Sequence, residues 1–548
     1  MITTVKSNPV LWDIIPLLET EDYTPNWGRP EQLEGKSIPM PDISMLNPEQ
    51  AVGFSKYIQF YKGELSRTNP QTGMDYPVDM LVLQGVAGTG KSFLNSKAVQ
   101  FLIHKDPTIK IGILTPTHQA GAAAKKLSSL TQIDQIQFAT IHSIAGVRKV
   151  NDEATGRETF PPIKDPKFDQ FDLIIIDEAG MVAEELYMLV RAYSGVTKII
   201  WTGDPAQLPP VGENLSKAYD RTQDFIEVDG LGLVVTDRVE LTQPMRAAQD
   251  HPITSLATSM RNRMLHPKQA RGVLDQNGFR VIKTVPKDRE RGVDEDLDSL
   301  LLTLFTSDHY KNDSDYCTLL TWSNKSVGQW NNRVRRLIWQ KETGRPSGMP
   351  VLFPYEYIKL QEAYVVKNED EDMLDDRGYF NKPDKEDRGV QIYANNDVLR
   401  VVSFRAYTLD IPGTGDSVQA LMCETEKYIH GSGWVSRKDV PVLLSDQMYQ
   451  FEAAMSKLWN YAQTVDPDMK AVYWDLRNYG PVKAHYAYAS TTHKRQGCTD
   501  FINIIDAANI GSSKYFPKTV PENIRMDHYW RMIYTAGTRA KKGVVYLV

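Results

Sequence analysis

Short apolar runs recur along the chain, each followed by a polar or glycine-rich loop and then by apolar residues at helical spacing. Met80–Leu83, Ile109–Leu114, Leu173–Ile176 and Lys198–Thr202 read this way in the first half, as do Cys317–Leu320 and Phe501–Ile505 in the second. Continuous apolar strands alternating with amphipathic helices predict parallel sheets covered on both faces. Leu46–Lys62 predicts a helix, with Asn47 as cap and Pro48 in the first turn. The rhythm breaks twice. Val147–Phe160 alternates on either side of Ala154-Thr155-Gly156 and predicts a β-hairpin. From about 351 to 480 short alternating segments, with turns at Pro412-Gly413 and Gly431-Ser432-Gly433, predict a small β-rich domain or barrel, followed by a helix over Gln447–Gln463. Residues 1–44 show little periodicity and read as an extended arm with Trp12 and Trp27 as anchors.

Composition narrows this picture without changing it. At 548 residues the chain exceeds one core, and 41% hydrophobic with 24% charged residues is ordinary for a water-soluble protein. Cys317, Cys423 and Cys498 lie far apart without metal-ligand spacing, which favours a reducing compartment. No apolar run reaches the roughly 18 residues that cross a bilayer, so a cytoplasmic protein without a membrane partner is expected. The net charge of −6 argues superficially against a polyanionic partner. Ten acids against five bases between Glu362 and Arg388 account for five of those six charges, and Lys367–Arg388 reads as an acidic loop. A local basic groove elsewhere stays open.

Chemistry is densest after the first strand. Gly85, Val86, Ala87, Gly88, Thr89, Gly90, Lys91 and Ser92 fit G-x-x-x-x-G-K-[ST] between a strand and a helix. In such a loop the backbone N–H groups cradle a polyphosphate, Lys91 reaches the β and γ phosphates, and the Ser92 hydroxyl suits Mg²⁺. Leu173–Ile176 delivers Asp177, suited to Mg²⁺, and Glu178, suited to orienting and deprotonating an attacking water. Gly203–Glu213 places Asp204 and Gln207 where they can sense a γ phosphate. Arg246 follows a strand, and Arg539 is expected on a helix before the terminal strand; two arginines so far apart reach one phosphate only if two domains close on it. After the strand Cys317–Leu320 and a polar loop with Asn324 and Lys325, a helix carries Arg333, Arg335 and Arg336 among aromatic residues, which suits single-stranded nucleic acid or a plain solvated basic helix.

Taken in order, GVAGTGKS, TPTHQAGAAAKKL, ATIHS, IIIDEAG, GDPAQLPPV, LTQPMR, LTWSNKSV, STTHKRQG and YTAGTRAK resemble the motifs of superfamily 1 DNA helicases, most closely the RecD-like branch. The resemblance covers most of residues 46–548. It implies an α/β fold with two RecA-like parallel-sheet P-loop domains, a β-hairpin insertion in the first and an SH3-like β-rich insertion in the second. The boundaries are an arm at 1–44; domain 1A at 45–245, with the hairpin subdomain 1B at about 146–169; domain 2A at 246–350 and 481–548; and domain 2B at 351–480. Gln50 is implied to contact adenine, Gly497 to line the nucleotide site, and Gln207 to sense the γ phosphate, with Arg246 and Arg539 completing the site. Pro116, Thr117, His118, Thr140, His142, Asn324, Lys325, Thr492 and His493 match positions at or near single-stranded DNA. ATP and Mg²⁺ are the implied cofactors. Single-stranded DNA and duplex junctions are the implied partners, with single-stranded DNA-binding or replication proteins beside them, and the resemblance implies a monomer moving 5′ to 3′. Where the family often has a bulky residue, this chain has Gly537. An RNA-directed enzyme of the same superfamily, and a nucleotide-dependent binding switch without unwinding, stay open as alternatives.

Overall fold

The structure, a computed structural model, describes residues 38–548 apart from 118–119, 122–132, 148–149, 152–157, 163, 211, 244–251, 264–278, 283–294, 367–389, 430–432, 445 and 516–517. The expected N-terminal anchors Trp12 and Trp27, the acidic loop and the centre of the hairpin turn therefore lie outside the described residues. Among the described residues no helix is long and apolar enough to cross a membrane.

Seven strands form the first sheet, in the order Phe225–Val228, Gly232–Leu241, Met80–Gly85, Lys198–Gly203, Leu173–Ile176, Ile111–Thr115 and Ile136–Thr140. All neighbours are parallel except the first pair. Side chains alternate between faces, so each apolar run feeds two cores at once. Leu81, Leu83, Ile175 and Ile200 pack beneath the helices Pro48–Lys62 and Lys91–Lys105, whereas Met80, Val82, Ile174, Ile176 and Trp201 pack with Leu186, Tyr187 and Val190 on the other face. The hairpin is present as Val150–Asn151 paired antiparallel with Glu158–Thr159.

A second sheet holds Phe279–Ile282, Ala540–Leu547, Asp500–Asp506, Cys317–Thr321 and Ala489–Thr491 in that order, with the first four strands parallel. Ile505, Tyr546 and Leu320 face the helix Glu522–Gly537 across a core shared with Met532, Ile533 and Ala536. Both sheets belong to one compact unit, comprising Asp315–Val327, Ser490–Val548 and the described part of Met1–Leu300.

The other unit, Leu301–Ser314 with Gly328–Ala489, is built on a closed barrel of Glu356–Leu360, Val398–Ile411, Asp416–Ile429, Gly433–Leu444 and Val482–Tyr486. The barrel closes through a strand past residue 480, because Val482–Tyr486 pairs with both Glu356–Leu360 and Gly433–Leu444. The helices Asp446–Thr464 and Met469–Tyr479 cover Ile411, Val418 and Leu443 with Phe451, Met455 and Leu458. The second of these helices was not expected from the sequence.

Candidate functional site

The phosphate loop leaves the carboxyl end of the fully buried strand Met80–Gly85, near the middle of the first sheet. Gly88 and Gly90 adopt φ of 83° and 80°, a left-handed region that favours glycine, and a Cβ on Gly85 would lie 2.6 Å from the Leu241 carbonyl oxygen. The helix Lys91–Lys105 starts directly on Gly90 with no side-chain cap, so its first N–H groups and its dipole face the loop. Lys91 Nζ donates to the Gly85 and Val86 carbonyls at 2.7 and 3.1 Å. Burial pushes its ammonium below the ordinary value, while Asp204, Glu178 and Asp177 oppose that shift. Gln50 is buried at the third position of the helix Pro48–Lys62. Its Nε2 donates to the Thr89 carbonyl at 2.9 Å and its Oε1 accepts from Asn47 N–H at 3.0 Å, so it ties the helix start to the loop.

Two carboxylates stand at the end of the neighbouring strand Leu173–Ile176. Burial and the Glu178 carboxylate push Asp177 up to about 6, and Asp177 Oδ1 accepts the Glu178 N–H at 2.9 Å. Glu178 has φ of 54°, a left-handed conformation rare outside glycine and asparagine. That backbone turn follows directly on the strand, and Arg539 Nη1 lies 3.7 Å from Glu178 Oε1. From the next strand, Asp204 is buried and accepts the Ala206 N–H at 2.9 Å.

The second sheet supplies the other side. Arg539 is buried and donates to Gln207 Oε1 at 3.1 Å and to the Cys498 carbonyl at 3.3 Å, while its Nε has no hydrogen-bond partner. It stands in the loop after the helix Glu522–Gly537, not on the helix as expected, because the helix ends at Gly537 with Thr538 as its cap. A Cβ on Gly537 would meet the Tyr546 hydroxyl at 2.8 Å, so a larger residue there has to displace that buried phenol. The same helix grips the loop that carries Asp204. Tyr534 donates to Asp204 Oδ2 at 2.5 Å, Arg531 donates to the Gln207 carbonyl at 3.1 Å, and Thr535 Oγ1 accepts the Leu208 N–H at 3.2 Å. Gln496 adds a bond to the Leu208 carbonyl at 3.2 Å, and Gly497, at φ 78°, lets the chain pass Ala120 and Glu178 closely. An uncapped helix start, a glycine cradle, a half-buried lysine and two acids form a set that fits a polyphosphate with a divalent cation. Ser92 and Asp177 are the oxygen ligands on hand for that cation.

The expected nucleic-acid residues are more scattered. Thr117 caps the turn after Ile111–Thr115 through Ala120 N–H at 3.1 Å beside the buried Pro116, and His118 lies outside the described residues. Thr140 caps the short helix Ile141–Ala145, and the His142 ring packs against Phe160. Asn324 and Lys325 are exposed at the start of the helix Asn324–Thr343. Thr492 is fully buried on the Thr321 carbonyl, and His493 stacks on His528. Arg246 lies outside the described residues. The basic helix reads differently in the fold. Arg335 is buried, paired with Glu356 at 2.7 Å and held between Phe353 and Tyr486, and Arg333 is buried over Trp330, so of the three expected cations only Arg336 is exposed.

Sequence reasoning gave no role to Arg531, nor to Tyr534 and Thr535 inside YTAGTRAK, nor to Gln496 inside STTHKRQG. Arg531, Tyr534 and Thr535 lie within one helix, where an aromatic, hydroxyl or basic residue reads as core or surface and its partners across the fold leave no local pattern.

Residues 72–213, which contain the loop and both acids, match the family model of the AAA domain. An uncharacterized protein of Acanthamoeba polyphaga mimivirus is 24% identical over 316 residues, which are 54% of this chain and 58% of that protein. Among solved structures the chain is similar to the Pif1 helicase from Candida albicans, at 16% identity and a TM-score of 0.40 over 92% of this chain and 94% of that one. It is also similar to a Bacteroides Pif1 helicase solved with ADP-AlF3 and ssDNA, at 15% identity and a TM-score of 0.38 over 85% and 88%.

Proposed function

We propose that the chain is an ATP-dependent DNA helicase and single-stranded DNA translocase, in the RecD-like branch of superfamily 1 and similar to the phage Dda helicase. One observation carries the reading: Arg539, from the second parallel sheet, is seated on Glu178 and Gln207 beside the phosphate loop of the first. A one-sheet switch or a small-molecule kinase has no need of that cation from a second sheet. In this reading Lys91 neutralises the β and γ phosphates, Ser92 and Asp177 hold Mg²⁺, and Gln50 and Gly497 border the nucleotide. Glu178 deprotonates the water, Gln207 senses the γ phosphate, and Arg246 and Arg539 stabilise the charge that develops on it. Bound nucleotide supplies the phosphoanhydride whose hydrolysis drives the cycle. Residues 45–245 act as domain 1A and 246–350 with 481–548 as domain 2A. The hairpin acts as a pin that separates the strands of a duplex, and the barrel acts as domain 2B. Pro116, Thr117, His118, Thr140, His142, Asn324, Lys325, Thr492 and His493 border the strand, which the monomer follows 5′ to 3′.

Matched DNA and RNA duplexes with 5′ or 3′ single-stranded tails test this directly. Strand separation with ATP on 5′-tailed DNA is the expected result. Activity on RNA alone overturns the substrate, dependence on a 3′ tail overturns the polarity, and nucleic-acid-stimulated hydrolysis without separation makes the protein a switch or bare translocase.

A further inference from the structure

Tyr534 has a fully committed hydroxyl. The side chain is 1% exposed, packed with Val86, Ala206 and Ala257. Its Oη donates to Asp204 Oδ2 at 2.5 Å and accepts the Ala87 N–H at 3.3 Å. Burial and the Asp204 carboxylate hold that phenol well above its ordinary value, so it stays a donor throughout the neutral range. A tyrosine that served packing alone needs one partner for its hydroxyl. This one bridges two separate segments of the first sheet, the phosphate loop and the loop after Lys198–Gly203, from a helix of the second sheet that ends two residues before Arg539.

Resting on the reading of Gly85–Ser92 as a nucleotide loop, we propose that Tyr534 is a positioning residue that latches the second sheet to the phosphate loop through the Ala87 N–H and yields that N–H to a bound phosphate. Ala87 N–H satisfies either the Tyr534 hydroxyl or a phosphate oxygen, and an ionised phosphate is the stronger acceptor. When a phosphate takes that N–H, the hydroxyl keeps only Asp204. The helix end that carries Arg539 then loses one of its ties to the phosphate loop while keeping its tie to Asp204. No bond is made or broken besides hydrogen bonds, and no proton leaves Tyr534.

The test is calorimetric binding of Mg²⁺ with a non-hydrolysable ATP analogue to the full chain, in the wild type, Tyr534→Phe and Thr535→Val, with thermal melts of each. Tyr534→Phe keeps the ring and removes the competing acceptor, so binding is expected to tighten about three- to tenfold, the scale of one neutral hydrogen bond. Thr535→Val cuts a hydroxyl tie to the same Asp204 loop without touching the phosphate loop, and its affinity is expected to match the wild type. Equal affinities in all three proteins, weaker binding by Tyr534→Phe, or the same tightening in both variants overturns the latch. Absence of binding by the wild type overturns instead the nucleotide reading on which the latch rests.

Discussion

At the scale of single residues the site asks conflicting things of Glu178, which is held at φ 54° to bring its carboxylate to the end of a buried strand. A non-glycine residue there stores on the order of 1 kcal/mol. Glu178→Gln is expected to leave nucleotide binding intact and to lower turnover about a hundred- to ten-thousand-fold, the range for losing a general base; retained turnover excludes Glu178 as the base. Glu178→Gly removes the carboxylate and the strain together. Its melting temperature is expected to equal or exceed that of the wild type while turnover is lost, and a large drop in melting temperature would show that the backbone there is not strained. His493 gives a pH signature. Burial, and then His528, lower it to about 4 from the ordinary 6.5. The unfolded chain therefore binds its proton first, and stability contributed by the neutral pair falls as pH drops from about 6.5 toward about 4. Denaturation midpoints measured across that window should fall more steeply in the wild type than in His493→Gln, and parallel curves would remove His493 from the account.

At the scale of elements, what the sequence showed and what it hid follow from how many faces each segment buries. Met80–Gly85, Leu173–Ile176 and Lys198–Gly203 are buried on both faces, so their apolar runs are continuous and the loops at their ends stand out. That is why the phosphate loop, Asp177, Glu178 and Gln207 were legible together. The helix Asn324–Thr343 was not legible in the same way. Its arginines have the same spacing whether they face water or a buried acid, and only the fold brings Glu356, twenty-one residues beyond Arg335 in sequence, to 2.7 Å from it. Closure of the barrel by Val482–Tyr486 and the bridging role of Tyr534 are likewise long-range facts without a local pattern. The Arg335 pair makes a stability prediction. Burial raises the Glu356 carboxyl and Arg335 opposes that shift, so Arg335→Met leaves an acid uncompensated. It is expected to destabilise the barrel unit by about 3–5 kcal/mol, and Arg335→Met with Glu356→Leu should recover most of the loss. Urea unfolding of the four proteins in that cycle checks it, and an additive double mutant would show that the two groups do not interact.

At the scale of the whole molecule, hydrolysis and strand separation are separable in the proposed motor, and the hairpin is where they part. Its strands, Val150–Asn151 and Glu158–Thr159, stand outside the seven-stranded sheet, and none of the phosphate-site residues lies on them. The base is fixed at Gly146, where φ is 64°, the carbonyl accepts the Lys164 N–H at 3.0 Å, and an added Cβ would run into the Lys164 backbone. Gly146 follows the helix Ile141–Ala145 that Thr140 caps, so the hairpin is set off from residues proposed to border the strand. A wedge works only if its base is stiff enough to carry the load of a duplex that the motor pulls against it. Gly146→Val strains the backbone by about 1–3 kcal/mol and displaces that base without altering the phosphate loop. It is therefore expected to keep single-stranded-DNA-stimulated ATP hydrolysis while unwinding of a 5′-tailed duplex falls sharply, and removal of residues 150–158 should do the same more completely. Parallel loss of both activities would place the hairpin in the hydrolytic cycle, whereas unwinding that survives the deletion would mean the duplex is opened elsewhere.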